Sequence, residues 1–142
     1  MFGAETLDHV AFPVRDLPRS EKFYLEVVGL TFMTQRKNAD GSPRHTYVKA
    51  GENIIGLNLP GIQTAPSPNG APRYGIAVGS EEIFNSTVER IRNSGVVCDE
   101  MRDHTSASPF VRSFRFTDLD QNHRNLYAPE IARRNLLEPC CL

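Results

Sequence analysis

Cysteine is scarce in this chain. Cys98, Cys140 and Cys141 are too few for a disulfide framework, so a reduced, cytoplasmic setting is expected. Pro139 keeps the last four residues from forming a prenylation box, which leaves Cys140-Cys141 as exposed thiols of a tail. An excess of one charge is also lacking: 16 Lys+Arg against 17 Asp+Glu gives a net charge of −1. That balance excludes a basic nucleic-acid footprint and a polybasic membrane surface. No apolar run approaches the ~20 residues of a membrane span. The start, Met1-Phe2-Gly3-Ala4-Glu5, lacks a basic region followed by an apolar stretch, so no secretory leader is expected. Gly-x-Gly-x-x-Gly, P-loop, Cys-x-x-Cys and serine-nucleophile signatures are missing too. What is present is ordinary: 142 residues, 39% hydrophobic and 23% charged, enough for one compact domain.

Leu7 to Val14 is short, apolar and β-rich and predicts a strand. Asp16-Leu17-Pro18 supplies a cap and a first-turn proline for a helix. Phe23, Tyr24, Val27 and Val28 line one face of that helix over Arg19–Val28, and Gly29 ends it. A strand begins at Leu30, Asn38–Pro43 is a turn, and strands follow over Arg44–Lys49 and Asn53–Leu59. Four prolines and two glycines between Pro60 and Pro72 mark a linker.

The order then repeats. Tyr74–Val78 predicts a strand, and Ser80 caps a helix over Glu81–Ser94 with Ile83, Phe84, Thr87, Val88 and Ile91 on one face. Gly95 ends the helix, Val96-Val97-Cys98 starts a strand, and Phe110–Thr117 and His123–Tyr127 close the set. Gly29 follows His9 by 20 residues, and Gly95 follows Gly75 by 20. Both halves finish on Asn-Leu, at Asn58-Leu59 and Asn125-Leu126. Two β-α-β-β-β modules account for this repeat: module one over 6–59, a linker over 60–72, module two over 73–128 and a tail over 129–142. The fold class is therefore α+β. Closely spaced strands after each helix leave no room for the long crossovers of an all-parallel sheet.

Three segments in this order and spacing resemble the vicinal oxygen chelate superfamily of glyoxalase I, bleomycin-resistance proteins and extradiol dioxygenases. They are Leu7-Asp8-His9-Val10, Phe23-Tyr24 with Val28-Gly29-Leu30, and Asp118-Leu119-Asp120-Gln121-Asn122. The last resembles the family's Asp-Pro-Asp-Gly-Asn turn, with Leu119 for proline and Gln121 for glycine. The resemblance covers residues 6–128 and implies two modules whose curled mixed sheets enclose a cavity, usually within a homodimer. It places the metal ligands of metal-dependent members at His9, Asn58, Tyr74 or Gly75, and Asn125. Those members use His, Glu or Gln there, whereas this chain offers one imidazole, two neutral amides and either a phenol or nothing. A tight metal site of the usual kind is not expected.

Other roles remain for these residues. His9 is either a satisfied structural histidine or an acid–base group. Asn58 and Asn125 either orient a polar substrate or bond each other or water. His123 lies two residues before Asn125 and shares its face. In Ser113-Phe114-Arg115-Phe116, Ser113 and Arg115 share the face opposite the phenylalanines. Arg115 is either a surface arginine over an aromatic core or a cavity cation that replaces the metal for an anionic ligand. The expectation is thus a glyoxalase/bleomycin-resistance/dioxygenase-like homodimer binding a small organic ligand, with no cofactor, nucleic acid or membrane partner. Its site residues are His9 for acid–base work and Asn58, Tyr74, Ser113, Arg115, His123 and Asn125 for substrate contact. Two alternatives stay open: a metal-dependent lyase, isomerase or dioxygenase with other ligands, and a metal-free enzyme with His9 as base and Arg115 at an oxyanion.

Overall fold

A computed structural model describes residues 8–59, 74–103 and 112–128; the expected linker and tail lie outside them. Strands β1 (His9–Pro13), β2 (Thr31–Lys37), β3 (Pro43–Ala50) and β4 (Asn53–Asn58) make one mixed sheet in the order β1-β4-β3-β2. Only the β1–β4 pair is parallel. Strands β5 (Tyr74–Ala77), β6 (Arg102–Asp103), β7 (Arg112–Thr117) and β8 (His123–Tyr127) repeat the arrangement as β5-β8-β7-β6. The repeated β-α-β-β-β order is therefore present, as two mixed four-stranded sheets. The chain divides into two compact units, Met1–Pro72 with Leu119–Asn122, and Arg73–Asp118 with His123–Leu142.

Each unit buries one face of its sheet under a helix. In the first, Phe12, Thr46, Val48, Ile55 and Leu57 are buried on the same side as Leu17, Phe23, Tyr24 and Val28. Asp16 caps α1 (Leu17–Lys22) by accepting from the Arg19 amide at 3.0 Å. The expected single helix over Arg19–Val28 is different in the structure: α1 gives way to a π-helical turn over Phe23–Val28. The wider i to i+5 repeat puts Phe23 in line with Val28, so both reach the core together with Tyr24. Gly29 closes the turn at φ 88° and Gly95 follows the second helix at φ 80°, a conformation that glycine adopts without cost.

In the second unit Ile76, Phe114, Phe116 and Leu126 are buried on the sheet, and Phe84, Thr87, Val88 and Ile91 on α2 (Glu81–Asn93). Ser80 Oγ accepts from the Ile83 amide at 3.1 Å, the expected cap. Arg112 ties this helix to the sheet edge through Glu81 at 2.6 Å and Asp103 at 2.7 Å. Those carboxylates, Asp103 first, push the guanidinium's pKa up. The strand expected at Val96–Cys98 shrinks to a single bridge, Cys98 to Phe116, flanked by hydrogen bonds from Thr117 N to Val97 O and from Asp99 N to Arg115 O. Cys98 is half-buried there, and desolvation pushes its thiol pKa up, away from the reactive thiolate.

The β2–β3 hairpin turns at Asp40, whose carboxylate accepts from the Ser42 hydroxyl at 2.5 Å and the Ser42 amide at 2.9 Å. These bonds, the hydroxyl's first, hold the Asp40 pKa below its ordinary 3.8. A lowered folded value means that the turn gains stability above the ordinary pKa and loses it as pH falls through the lowered one. The Ser42 amide resonance is expected to titrate with a midpoint below 3.8, and an acid NMR titration checks this.

Candidate functional site

The face of each sheet away from its helix is polar. In the first unit, strand pairing sets His9, Ala11 and Pro13 of β1 beside Ile54, Gly56 and Asn58 of β4, and these beside Lys49, Tyr47 and His45 of β3. Alternation sends these side chains opposite to buried Phe12, Ile55, Leu57, Thr46 and Val48. His9 Nδ1–H donates to Asp8 Oδ2 at 2.7 Å, which leaves Nε2 as the basic nitrogen of the neutral ring. His45 Nδ1–H donates to the Asn58 carbonyl oxygen at 2.9 Å. The Tyr47 ring stands between the two imidazoles, with centroids 6.1 Å from His9 and 6.5 Å from His45. His9 and Asn58 are not brought together within the ladder. His9 pairs with Ile54, four residues from Asn58, or about 13 Å along the strand.

In the second unit Asn125 of β8 lies between Gly75 of β5 and Arg115 of β7. The next row on the same face holds Ala77, Tyr127, Ser113 and Arg102. His123, paired with Thr117, shares this face. Phe114 and Phe116 are fully buried on the other, as the alternation predicts. Arg115 is half-buried; its Nη1 meets Asp99 Oδ2 at 3.2 Å, while its buried Nε has no hydrogen-bond partner among the described residues.

Tyr74 stands elsewhere. It pairs with Arg124 on the core face, where the Arg124 guanidinium lies 4.2 Å from its ring centroid. The expectation named Tyr74 for substrate contact, but β5 parity gives the polar face to Gly75. The sequence reading did not assign His45, Tyr47, Lys49, Arg102 or Tyr127 to the polar face. For β3 a usable signal existed, since Val48 is the strand's central aliphatic and fixes Tyr47 on the opposite side.

Residues 6–123 match the Glyoxalase/Bleomycin resistance protein/Dioxygenase superfamily. The chain belongs to this superfamily. Its fold is similar to FosX, the genomically encoded fosfomycin resistance protein of Listeria monocytogenes, solved with Mn(II) and sulfate. The two are 17% identical with a TM-score of 0.68, over 93% of this chain and 96% of that one. FosX from Mesorhizobium loti is 20% identical with a TM-score of 0.64, over 94% and 99%. Lactoylglutathione lyase from Agrobacterium tumefaciens is 16% identical with a TM-score of 0.64, over 88% and 94%. No curated protein matches the sequence. Among the described residues no helix is long and apolar enough to cross a membrane.

The superfamily implies a divalent metal in some members, and the residues here can be tested against one. Of the positions that the resemblance assigns, only His9 carries a good metal donor. Asn58 already accepts from His45, Asn125 is a neutral amide, and Gly75 has no side chain. Among the described residues no three His, Cys, Asp or Glu side chains gather as ligands. One imidazole with two neutral amides, one of them already hydrogen-bonded to His45, is a poor donor set for zinc, iron or manganese, because it brings no negative charge to the ion.

Proposed function

We propose that this superfamily member binds a small organic anion on the polar face of its second module, with Arg115 as the cationic anchor in place of a metal. The observation that carries this reading is the half-buried Arg115 guanidinium, whose Nε is buried with no hydrogen-bond partner among the described residues. A buried donor on a charged group is costly to leave unmade, and a carboxylate or phosphate oxygen is its best partner. Ser113 and Asn125 on the same face add a hydroxyl and an amide, and Arg102 at the edge adds a second guanidinium. His123 belongs to the same ligand-contacting set. The reading includes a homodimer in a reduced, cytoplasmic setting.

A second reading rests on the Asp8–His9 hydrogen bond. Asp8 holds the proton on Nδ1 and presents Nε2 as a base, so His9 of the first unit serves as a proton acceptor in metal-free chemistry. Asn58 then serves to fix His45.

Phosphate and acetate titrations followed by NMR test the anchor. Arg115→Ala is expected to weaken binding roughly tenfold to a hundredfold, the worth of a hydrogen-bonded charge. Equal affinity in the variant rejects the reading. His9→Ala separates the two versions: the binder keeps its anion affinity, whereas the enzyme keeps affinity and loses turnover.

A further inference from the structure

Gly75 is a glycine for want of space. Its backbone is not among the left-handed glycines, so no turn demands it. A Cβ built on it would clash with the edge of the Tyr127 ring, closest to Cε2, with Cδ2 at 2.6 Å and Cζ at 3.2 Å. Tyr127 pairs with Ala77 and Ser113, so its ring leans along the sheet to cover the neighbouring Gly75. The ring therefore occupies the volume that any side chain at position 75 would need. That volume belongs to the β5 position paired with Asn125.

We infer that Tyr127 takes the place of a metal ligand on β5 and, together with Gly75, commits the second module to a metal-free site. A histidine or carboxylate at position 75 has no room while the ring is there. The Tyr127 ring must leave its present position if position 75 carries a side chain. The two residues are a matched pair, and neither is explained by the core, which lies on the opposite face. Tyr127 is thus a specificity-determining residue: it excludes a cation from one side of Asn125 while Arg115 supplies positive charge on the other. The inference stands apart from the anion reading, because the ring fills the position whether or not Arg115 holds a ligand.

Two measurements without any anion test it. The first is a thermal-denaturation cycle of Gly75→Ala, Tyr127→Ala and the double variant. Gly75→Ala is expected to lower Tm by several degrees beside Tyr127 and to leave it unchanged or higher once Tyr127 is alanine. An equal loss in both backgrounds overturns the pairing. The second is Mn(II) binding by calorimetry to Gly75→His/Asn125→Glu, with and without Tyr127→Ala. Adding Tyr127→Ala is expected to tighten Mn(II) binding at least tenfold, and equal binding overturns the exclusion. If the histidine variant does not fold with Tyr127 present, the alanine cycle alone decides.

Discussion

Asp118→Ala is expected to destabilise the protein by about 3–5 kcal/mol, the largest effect of any single change outside the hydrophobic core. Asp118 and Arg124 stand on either side of the β7–β8 turn, with Oδ2 and Nη2 3.1 Å apart and side chains 1% and 0% exposed. The guanidinium also packs on the Tyr74 ring at 4.2 Å. Removing the carboxylate takes the counter-charge from a guanidinium buried beside Tyr74 and Phe116, so its desolvation is no longer offset. A buried pair is weak evidence of net stability, so the double variant Asp118→Leu/Arg124→Met is expected to recover most of the loss. Urea denaturation of the two variants measures this. A loss below about 1 kcal/mol for Asp118→Ala would contradict the buried ion pair.

Tyr24→Ala is expected to cost a similar amount, about 3–5 kcal/mol, by a different mechanism. Tyr24 is 1% exposed. Its ring contacts Phe12 at 5.7 Å in a tilted arrangement and Phe23 at 5.4 Å edge-on. Truncation opens a cavity between the π-helical turn and the sheet and removes both aromatic contacts. Tyr24→Phe keeps the ring and is expected to cost no more than about 1.5 kcal/mol, the net worth of one hydrogen bond. The urea midpoint measures both, and an equal loss from both would place the energy in the hydroxyl instead of the ring.

These two sites also show what was legible in the sequence. The repeat of strands and helices could be read because periodicity and glycine punctuation are local properties: Asp16, Ser80, Gly29 and Gly95 cap or end their helices as expected. Alternation likewise separated Ser113 and Arg115 from Phe114 and Phe116 without a structure. Three things were not legible. The π-helical turn at Phe23–Val28 arises from tertiary burial that overrides a helical pattern. Arg124 reads as a surface residue of an exposed strand, because the partners that let it be buried, Asp118 and the Tyr74 ring, are supplied by other segments. The choice between Tyr74 and Gly75 needs the β5–β8 register, a non-local quantity that one strand's own sequence does not contain.

The Asp118–Asp120 turn was recognised as a resemblance, and the structure gives it a physical basis. Asp118 neutralises Arg124. Within the first unit, Asp120 accepts from the Arg15 amide at 2.8 Å and the Ser20 hydroxyl at 3.2 Å. Both aspartates of the motif therefore act in folding. Glu21 is another case of structural polarity: it accepts from the buried Thr46 hydroxyl at 2.7 Å and from Gln35 at 3.0 Å, which satisfies the buried hydroxyl of β3.

In the proposed site the positive charge comes from Arg115 and not from a metal ion. A phosphate titration of the wild-type protein, run in excess chelator and again with added Mn(II), tests it most directly. The same affinity is expected in both conditions, with binding weakened roughly tenfold to a hundredfold in Arg115→Ala. Binding that disappears in chelator and returns with Mn(II) would contradict it.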